Sequence, residues 1–174
     1  MRRILKRREL VEDEWRYLGE ESADGQSAGS DGGAGPALIV PFAAFRGHIE
    51  KWRAYTGRLG VRLSPPDAVE ELAPDIHRLS LVAAEFPSPG EGRGYSQGRL
   101  LRSRLQFKGE LRAVGAGVKQ DLLFILTRCG FDSFELAPGQ KVEEALKALE
   151  RYTVAYQPGE PAPSIQLQRY SVAR

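Results

Sequence analysis

Short strand-like segments alternate with helix-like segments along most of this chain, and this alternation restricts the fold more than any other feature. The strand-like segments are rich in branched apolar residues, whereas the helix-like ones repeat apolar residues every three or four positions. Because the connections are short, successive strands are expected to lie parallel, linked by right-handed crossovers. The predicted strands are residues 37–42, 58–64, 76–86, 111–115, 131–136 and 154–156, and the predicted helices are residues 45–56, 67–73, 96–107, 118–128 and 142–152.

This pattern predicts an α/β fold of repeated βα units, with a mainly parallel sheet flanked by helices. The repeating part, residues 37–157, is too short for the eight units of a complete barrel. Two arrangements stay open, an open doubly wound sheet and an incomplete TIM-like barrel, because both have the same sequence periodicity.

The composition changes at both ends of the repeating part. Residues 20–36 are mainly Gly, Ser, Ala and Asp with no large apolar side chain, which is typical of a flexible linker. Before them, residues 1–19 alternate loosely between apolar and polar positions, as in an N-terminal arm or hairpin. We therefore expect a single α/β domain over residues 37–157 and a C-terminal tail over residues 158–174.

The charge balance and hydropathy argue against two classes of partner. The 25 basic and 23 acidic side chains give a net charge of +2, whereas a dedicated nucleic-acid-binding domain is strongly basic. No apolar run approaches the roughly 18 residues that span a bilayer, and no apolar stretch of a signal peptide follows the basic N-terminus. We expect a cytoplasmic protein whose partners are neither nucleic acids nor membranes.

Metal and disulfide chemistry have little support in the sequence. Cys129 is the only cysteine, so an internal disulfide and a multi-cysteine iron–sulfur site are excluded. His48 and His77 have no ligand-like spacing to it or to each other, so no metal site is predicted. Because Cys129 ends a predicted helix beside Gly130, a buried structural thiol is a better interpretation than a nucleophile. The sequence leaves the cofactor unknown.

A glycine-rich loop, residues 87–95, follows the third predicted strand. In a parallel sheet such a loop lies at the carboxyl ends of the strands, where ligands bind. Gly90, Gly92 and Gly94 would allow positive φ and the close approach of an anion to bare N–H groups, next to the positive end of a helix. The spacing matches neither GxGxxG nor GxxxxGK[ST], so no known nucleotide-binding motif is present.

Basic residues are concentrated just after this loop. From residue 93 to residue 119 there are seven basic residues and one acid, and arginine binds phosphate, sulfate and carboxylate groups in a bidentate manner. The pattern predicts an anion- or ligand-binding site formed by Gly90, Gly92, Arg93, Gly94, Tyr95, Ser96 and Arg99, and contacts to an acidic partner by Arg102, Lys108 and Arg112. The alternatives are a tight turn without a ligand, arginines that only solubilise a helix, and Ser96 as the N-cap of that helix.

Two carboxylates are candidates for acid/base catalysis. Glu85 ends a predicted strand, where the catalytic residues of α/β enzymes lie, and Asp132 lies at the start of another. For both, the alternative is an ion pair with a neighbouring arginine. Asp121 is a weaker candidate, because the helix dipole alone favours an aspartate in the first turns of a helix.

Several motifs occur in the order typical of one bacterial family. They are LGVRLSP at residues 59–65, EFP at 85–87, GRGYSQxRLLR at 92–102, FKGELRAVG at 107–115, RCGFD at 128–132 and VAYQ at 154–157. On these motifs the chain resembles the family catalogued as domain of unknown function 934 (DUF934), over about residues 37–157.

The resemblance implies a role in sulfur metabolism. Members of the family are typically encoded beside the haem-containing sulfite (or nitrite) reductase of assimilatory sulfate reduction, and they are often labelled probable oxidoreductases. This implies an accessory protein of sulfate assimilation and cysteine biosynthesis, which docks to sulfite reductase or its electron donor through the basic loop and helix. The alternative is an enzyme that binds a phosphorylated or sulfated small molecule at residues 90–96, with Arg93 and Arg99 as anion clamps.

Two departures from the family pattern bear on the predicted site. Pro89-Gly90-Glu91 and Gly98 stand where the family usually has a bulky or acidic residue and an alanine. Ala116-Gly117-Val118 stands where a polar residue usually precedes valine, which is equivalent to one inserted residue. If that polar residue serves a ligand in the family, residues 115–118 of this chain lack it.

Overall fold

Within the part of the chain that the structure describes, an eight-stranded sheet forms the centre. The computed structural model describes residues 2–19 and 35–150. The strands are β1 (Arg3–Lys6), β2 (Glu9–Glu12), β3 (Arg16–Tyr17), β4 (Leu38–Pro41), β5 (Leu59–Leu63), β6 (Leu81–Glu85), β7 (Glu110–Val114) and β8 (Ser133–Phe134). Their order across the sheet is β2-β1-β8-β7-β6-β5-β4-β3. The strands from β3 to β8 are parallel, which confirms the predicted α/β fold.

The N-terminal segment contributes strands to both edges of this sheet. β1 pairs antiparallel with β2 and with β8 at one edge, and β3 pairs with β4 at the opposite edge. Only residues 13–15 connect β2 to β3, and four steps of chain span at most about 14 Å. Because eight strands laid flat would be about 34 Å wide, the sheet must curl until its edges approach each other. The structure is therefore a half-barrel, the second of the two predicted arrangements.

Helices cover the outer, convex face of the curled sheet. They are α1 (Phe42–Gly47), α2 (Ile49–Arg53), α3 (Arg93–Ser103), α4 (Leu123–Arg128) and α5 (Val142–Glu150), with 3₁₀ helices at Val69–Leu72, Ile76–Arg78 and Gln120–Leu122. The predicted helix 67–73 is thus a 3₁₀ helix, and the predicted strand 76–86 is a strand only from Leu81 onwards. The predicted helix 96–107 begins three residues earlier and ends at Ser103. No helix within the described residues has both the length and the hydropathy that crossing a bilayer requires.

Both faces of the central strands are buried. Along β6, Val82 and Ala84 contact the main core between sheet and helices, whereas Leu81 and Ala83 belong to a smaller core on the concave face. This explains the continuous apolar run in the sequence, because a strand that is covered on both sides has no polar face. Trp15, in the connection from β2 to β3, also belongs to the concave core, so the crossing segment covers that face.

Several predicted elements lie outside the described residues. They are most of the linker 20–36, the last two residues of the helix 142–152, the strand 154–156 and the tail 158–174. Within the described part, β1 and β2 form a hairpin, which is one of the two forms expected for residues 1–19.

Candidate functional site

The predicted anion-binding loop lies at the carboxyl edge of the sheet, between β6 and α3. α3 begins at Arg93 with Gly92 as its N-cap, so the interpretation of Ser96 as the N-cap is wrong. Ser96 lies inside the first turns of the helix and is exposed, as are Arg93 and Arg99. These three side chains form a solvent-facing surface on α3.

A carboxylate of the chain itself binds the start of α3. Glu91 Oε1 accepts hydrogen bonds from the backbone N–H of Arg93 at 3.0 Å and from the Nε of the same residue at 3.1 Å. The backbone hydrogen bond, together with the nearby guanidinium, holds the pKa of the Glu91 carboxyl below its ordinary value. Because the Glu91 carboxylate already binds the positive N-terminal end of α3, a free anion would have to displace this carboxylate.

Two glycines of α3 are required by packing. A Cβ atom at Gly94 would lie 2.5 Å from Cζ of Phe86, and one at Gly98 would lie 2.4 Å from Cε2 of Phe131. Both rings are buried and pack edge-on against each other, with centroids 5.7 Å apart. Gly94 and Gly98 therefore allow α3 to lie directly on a fixed aromatic pair.

The three loop glycines do not supply the backbone freedom that the sequence suggested. Within the described residues, positive φ at glycine occurs at Gly115, Gly130 and Gly139, and not at residues 90, 92 and 94. At Gly90 and Gly92 a Cβ atom would meet no described atom within 4 Å. The expectation of positive φ in this loop is therefore wrong.

Tyr95 and Cys129 are partly buried beside the exposed side of α3. The Tyr95 ring packs edge-on against Phe86, with centroids 5.1 Å apart, and burial raises the pKa of its phenol. Burial also raises the pKa of the Cys129 thiol, and the charges of Arg99 and Arg128 offset only part of that effect. A neutral thiol agrees with the structural role predicted for Cys129.

The two candidate acid/base carboxylates lie at opposite edges of the sheet. Glu85 is the last residue of β6, at the carboxyl edge, and accepts a long hydrogen bond of 3.4 Å from Ser64 Oγ. Asp132 precedes β8, at the amino edge, and burial raises its pKa although Arg102 opposes this. A five-residue strand separates the two edges by about 16 Å. Glu85 and Asp132 therefore do not share one site.

Arg102, predicted to contact a partner, is held inside the structure. Only 10% of its side chain is exposed. Its guanidinium donates to the Asp132 carboxylate at 3.1 Å and to three backbone carbonyls, those of Phe107, Gly109 and Gly130. Arg102 thus holds the turn between α3 and β7 against the start of β8, and most of its side chain is withdrawn from solvent.

Arg112 is likewise buried, in a network of charges on the concave face. Its exposed fraction is 0%. Its Nη1 donates to Asp13 Oδ1 at 3.0 Å and its Nη2 to Glu110 Oε1 at 2.7 Å, and Lys6 Nζ lies 2.5 Å from Glu110 Oε2. Burial alone would raise the pKa of Glu110, but Arg112, Lys6 and a hydrogen bond from Ser133 lower it overall. Arg112 joins the strands from inside and cannot form the docking contact predicted for it.

A groove of about 680 Å³ opens at the amino edge of the sheet. Crossover helices run antiparallel to the strands, so α3, α4 and α5 all end at this edge. Its floor is apolar and its rim is basic. The floor residues are Phe107, Phe124, Phe131, Phe134 and Leu149, and the rim residues are Arg7, Arg8, Lys108 and Arg128. We call this feature the basic groove.

Of the predicted partner-binding residues, Lys108 lies on the rim of the basic groove, and the mostly buried Arg102 also lines it. Arg7 and Arg8 form the turn of the β1–β2 hairpin with φ angles of 48° and 69°, and the backbone N–H of Arg7 donates to Asp132 O at 3.0 Å. The sequence did not reveal these arginines as site residues, because their position depends on the pairing of β1 with β8. The one indication in the sequence is that these two arginines interrupt the apolar alternation of residues 1–19 at the point where a hairpin would turn.

Metal ligation has no support in the part of the chain that the structure describes. Among residues 2–19 and 35–150, no group of three or more histidine, cysteine, aspartate or glutamate side chains is placed to hold a metal ion.

The fold and the groove define a class of protein: a small α/β half-barrel with a basic, aromatic-lined groove at its amino edge. The family described as bacterial protein of unknown function (DUF934) matches residues 60–165, which is more than half of the chain. The chain belongs to this family. No curated protein matches it at a significant level.

Proposed function

We propose that this protein is a cytoplasmic accessory protein of assimilatory sulfite reduction, and that it docks to sulfite reductase or to its electron donor through the basic groove. The pathway comes from the association described above for the DUF934 family. The docking mode rests on one observation: among the described residues that line the groove, the basic side chains of Arg7, Arg8, Lys108 and Arg128 occur together with four phenylalanine rings.

Such a groove suits an acidic partner surface that presents an apolar side chain. Cations on a rim accelerate encounter with an acidic surface and fix its orientation. Buried aromatic rings form the kind of pocket in which one anchoring side chain contributes much of the binding energy. The volume of the basic groove falls in the range of about 300–1,000 Å³ that is common for binding pockets.

Two neighbouring features leave the rim of the basic groove positively charged. Asp132 lines it too, but the carboxylate is paired with Arg102 at 3.1 Å. Arg128 lies in the last turn of α4, where the negative end of the helix dipole favours a cation. The rim therefore presents a net positive charge to a partner.

The 90–96 loop supports the alternative function less well. An enzyme acting on a phosphorylated or sulfated molecule would need the start of α3 for the anion, and Glu91 binds there. The same carboxylate engages the guanidinium of Arg93. The proposal therefore assigns docking to this chain and no catalytic step.

Binding of the full chain to purified sulfite reductase, and separately to its electron donor, tests the proposal. We expect a complex with one of them at low salt, measured by biolayer interferometry. Its affinity should fall at least about 10-fold at high salt, because exposed charges are screened within a Debye length of about 3 Å at 1 M. Absence of a complex with both proteins at low salt would contradict the proposal.

Matched charge reversals locate the docking surface. Lys108→Glu and Arg8→Glu, on the rim, should each weaken the complex at least about 10-fold. Arg93→Glu, on the predicted loop, and Arg16→Glu, on β3, change the charge equally and should leave the affinity unchanged. An equal loss in all four variants would show only a general charge effect and would count against the groove.

Growth of a deletion strain tests the pathway separately from the docking mode. We expect sulfide and cysteine to restore growth on minimal medium, while sulfate and sulfite do not, because the missing step would consume sulfite. Rescue by sulfite would place the protein before that step.

A further inference from the structure

We propose that the carboxyl edge of the half-barrel holds a second, separate site, in which Arg62 and Glu85 bind a small acid that also carries a hydroxyl or ammonium group. This inference concerns the edge opposite to the basic groove, and it does not depend on the proposed docking function.

Arg62 and Glu85 lie on the concave face at the ends of adjacent parallel strands. Arg62 on β5 pairs in register with Ala83, and Glu85 on β6 pairs with Val114. Ala83 and Val114 both belong to the concave core, and residues that pair in register face the same side of a sheet. The carboxyl edge of a parallel sheet is the edge at which ligands bind.

Arg62 is a half-buried cation without a partner in the described part of the chain. Its side chain makes no hydrogen bond, ion pair or ring contact with any described residue. By contrast, Lys6, Arg102 and Arg112, which are also partly or fully buried, each bind a carboxylate. Withdrawing a charge from water without a partner is unfavourable, so a guanidinium placed in this way is a candidate for binding an external anion.

Glu85 is a half-buried anion beside it, and the two do not neutralise each other. No cation among the described residues lies within ion-pair distance of Glu85, and its hydrogen bond from Ser64 Oγ is long, at 3.4 Å. Glu85 is two positions beyond the register partner of Arg62, so the two side chains are diagonal neighbours. A ligand of a few atoms can therefore contact both.

The loop that follows β5 is held in a fixed position beside this pair. Gln97 Nε2 of α3 donates to the carbonyl oxygens of Ser64 at 2.8 Å and Asp67 at 3.1 Å. The Asp67 carboxylate accepts the backbone N–H of Ser64 at 2.6 Å. Such support from neighbouring elements is what keeps a binding site in one geometry.

The two charges define the chemistry of the ligand. A guanidinium forms a bidentate pair with a carboxylate or a related oxyanion. Glu85 would repel a bare anion, but it would accept a hydrogen bond from a hydroxyl or ammonium group on the carbon next to the carboxylate. The site therefore selects small amino or hydroxy acids over simple carboxylates.

Three probes with the same carbon skeleton test this selection on the full chain. They are L-alanine, L-lactate and propionate, which carry an ammonium group, a hydroxyl group and neither, respectively. We expect ligand-observed NMR to show binding of L-alanine or L-lactate at millimolar concentration, and at least about 10-fold weaker binding of propionate, since one hydrogen bond to a charged group is worth about that factor. Failure of both substituted acids to bind would overturn the proposal.

Variants assign the contacts. Arg62→Gln should abolish binding of the substituted acids, Glu85→Gln should remove the preference over propionate, and Arg93→Gln, at the same edge, should change neither. Because Arg62 has no partner within the described residues, Arg62→Gln should leave the Tm within a few degrees of the parent value. A large fall in Tm, or unchanged binding in Arg62→Gln, would show that Arg62 serves the fold and not a ligand.

Discussion

The stretch from Gly90 to Arg112 has an inner side and an outer side, and the two sides differ in what they contact. The inner residues are Gly94, Gly98, Arg102 and Arg112, and the outer residues are Gly90, Gly92, Arg93, Arg99 and Lys108. On the inner side the glycines lie on aromatic rings and the arginines bind carboxylates and carbonyls. On the outer side the same residue types face solvent.

The difference shows that a count of local charge does not reveal which cations a partner can reach. Arg112 is matched by Asp13 and Glu110, and Arg102 by Asp132. Of the five other basic residues between positions 93 and 119, Arg93 pairs with Glu91, Arg104 lies near Glu70, and Lys108 is the one that lines the basic groove. The groove, where the cations have aromatic neighbours, is therefore the stronger candidate for docking.

The largest effect is expected for an inner arginine. Arg112→Ala removes the guanidinium that pairs with the carboxylates of Asp13 and Glu110, and both carboxylates stay buried. The variant should therefore lower the free energy of unfolding by about 3–5 kcal/mol. Urea denaturation followed by circular dichroism measures this. The outer variant Arg99→Ala should stay within about 0.5 kcal/mol of the parent protein. Equal stabilities of the two variants would remove the distinction between the sides.

The parallel part of the fold could be predicted because its signals are local. β4, β5 and β7 each lie within one residue of a predicted strand, since branched apolar runs mark buried strands directly. The curl of the sheet could not be predicted in the same way. It depends on Leu5 pairing with Phe134 and on Tyr17 pairing with Ile39, and no pattern within residues 1–19 specifies those partners.

For the candidate site, the sequence indicated which basic residues are present but not which of their side chains are buried and which are exposed. The sequence assigned partner contacts to both Arg102, inside the predicted helix 96–107, and Lys108, just after it. α3 instead ends at Ser103, and the turn that follows brings Arg102 inside while Lys108 stays exposed. The sequence predicts no role for Glu91 at the helix end, because the predicted helix begins at residue 96, whereas α3 begins at Arg93.

A second inner residue gives a pH-dependent test. Glu110→Gln should cost about 1.5–3 kcal/mol at pH 7, because hydrogen bonds between Glu110 and the charged Lys6 and Arg112 are weakened. The folded-state pKa of Glu110 is lowered, so its contribution is complete above the unfolded value of about 4.3 and is lost as pH falls through the folded value. The stability difference from the parent should therefore shrink below about pH 4. A difference that is constant from pH 7 to pH 3 would contradict this.

The glycines test the same comparison without charge. Gly98→Ala places a methyl group against the buried Phe131 ring, and overpacking of this kind should cost about 1–3 kcal/mol even though alanine favours a helix. Gly90→Ala, which enters open space, should change the free energy of unfolding by less than about 0.5 kcal/mol. Thermal denaturation of the two variants side by side measures the difference, and a stabilised Gly98→Ala variant would show that the aromatic pair can move.

The smallest expected effect concerns the outer arginine nearest to a reactive group. Burial raises the pKa of the Cys129 thiol, and Arg99 opposes this, so alkylation by iodoacetamide at pH 8 should be several-fold slower than for a free cysteine, whose pKa is about 8.5. Arg99→Ala should slow the reaction further, by less than about 3-fold, because screening weakens the influence of an exposed charge.

Arg93→Ala removes an equal charge at the far end of the exposed surface of α3 and should leave the rate unchanged. Mass spectrometry of timed samples gives the rates. A faster reaction in Arg99→Ala would mean that the side chain shields the thiol sterically, and the outer side of α3 would then share a packing role with the inner side.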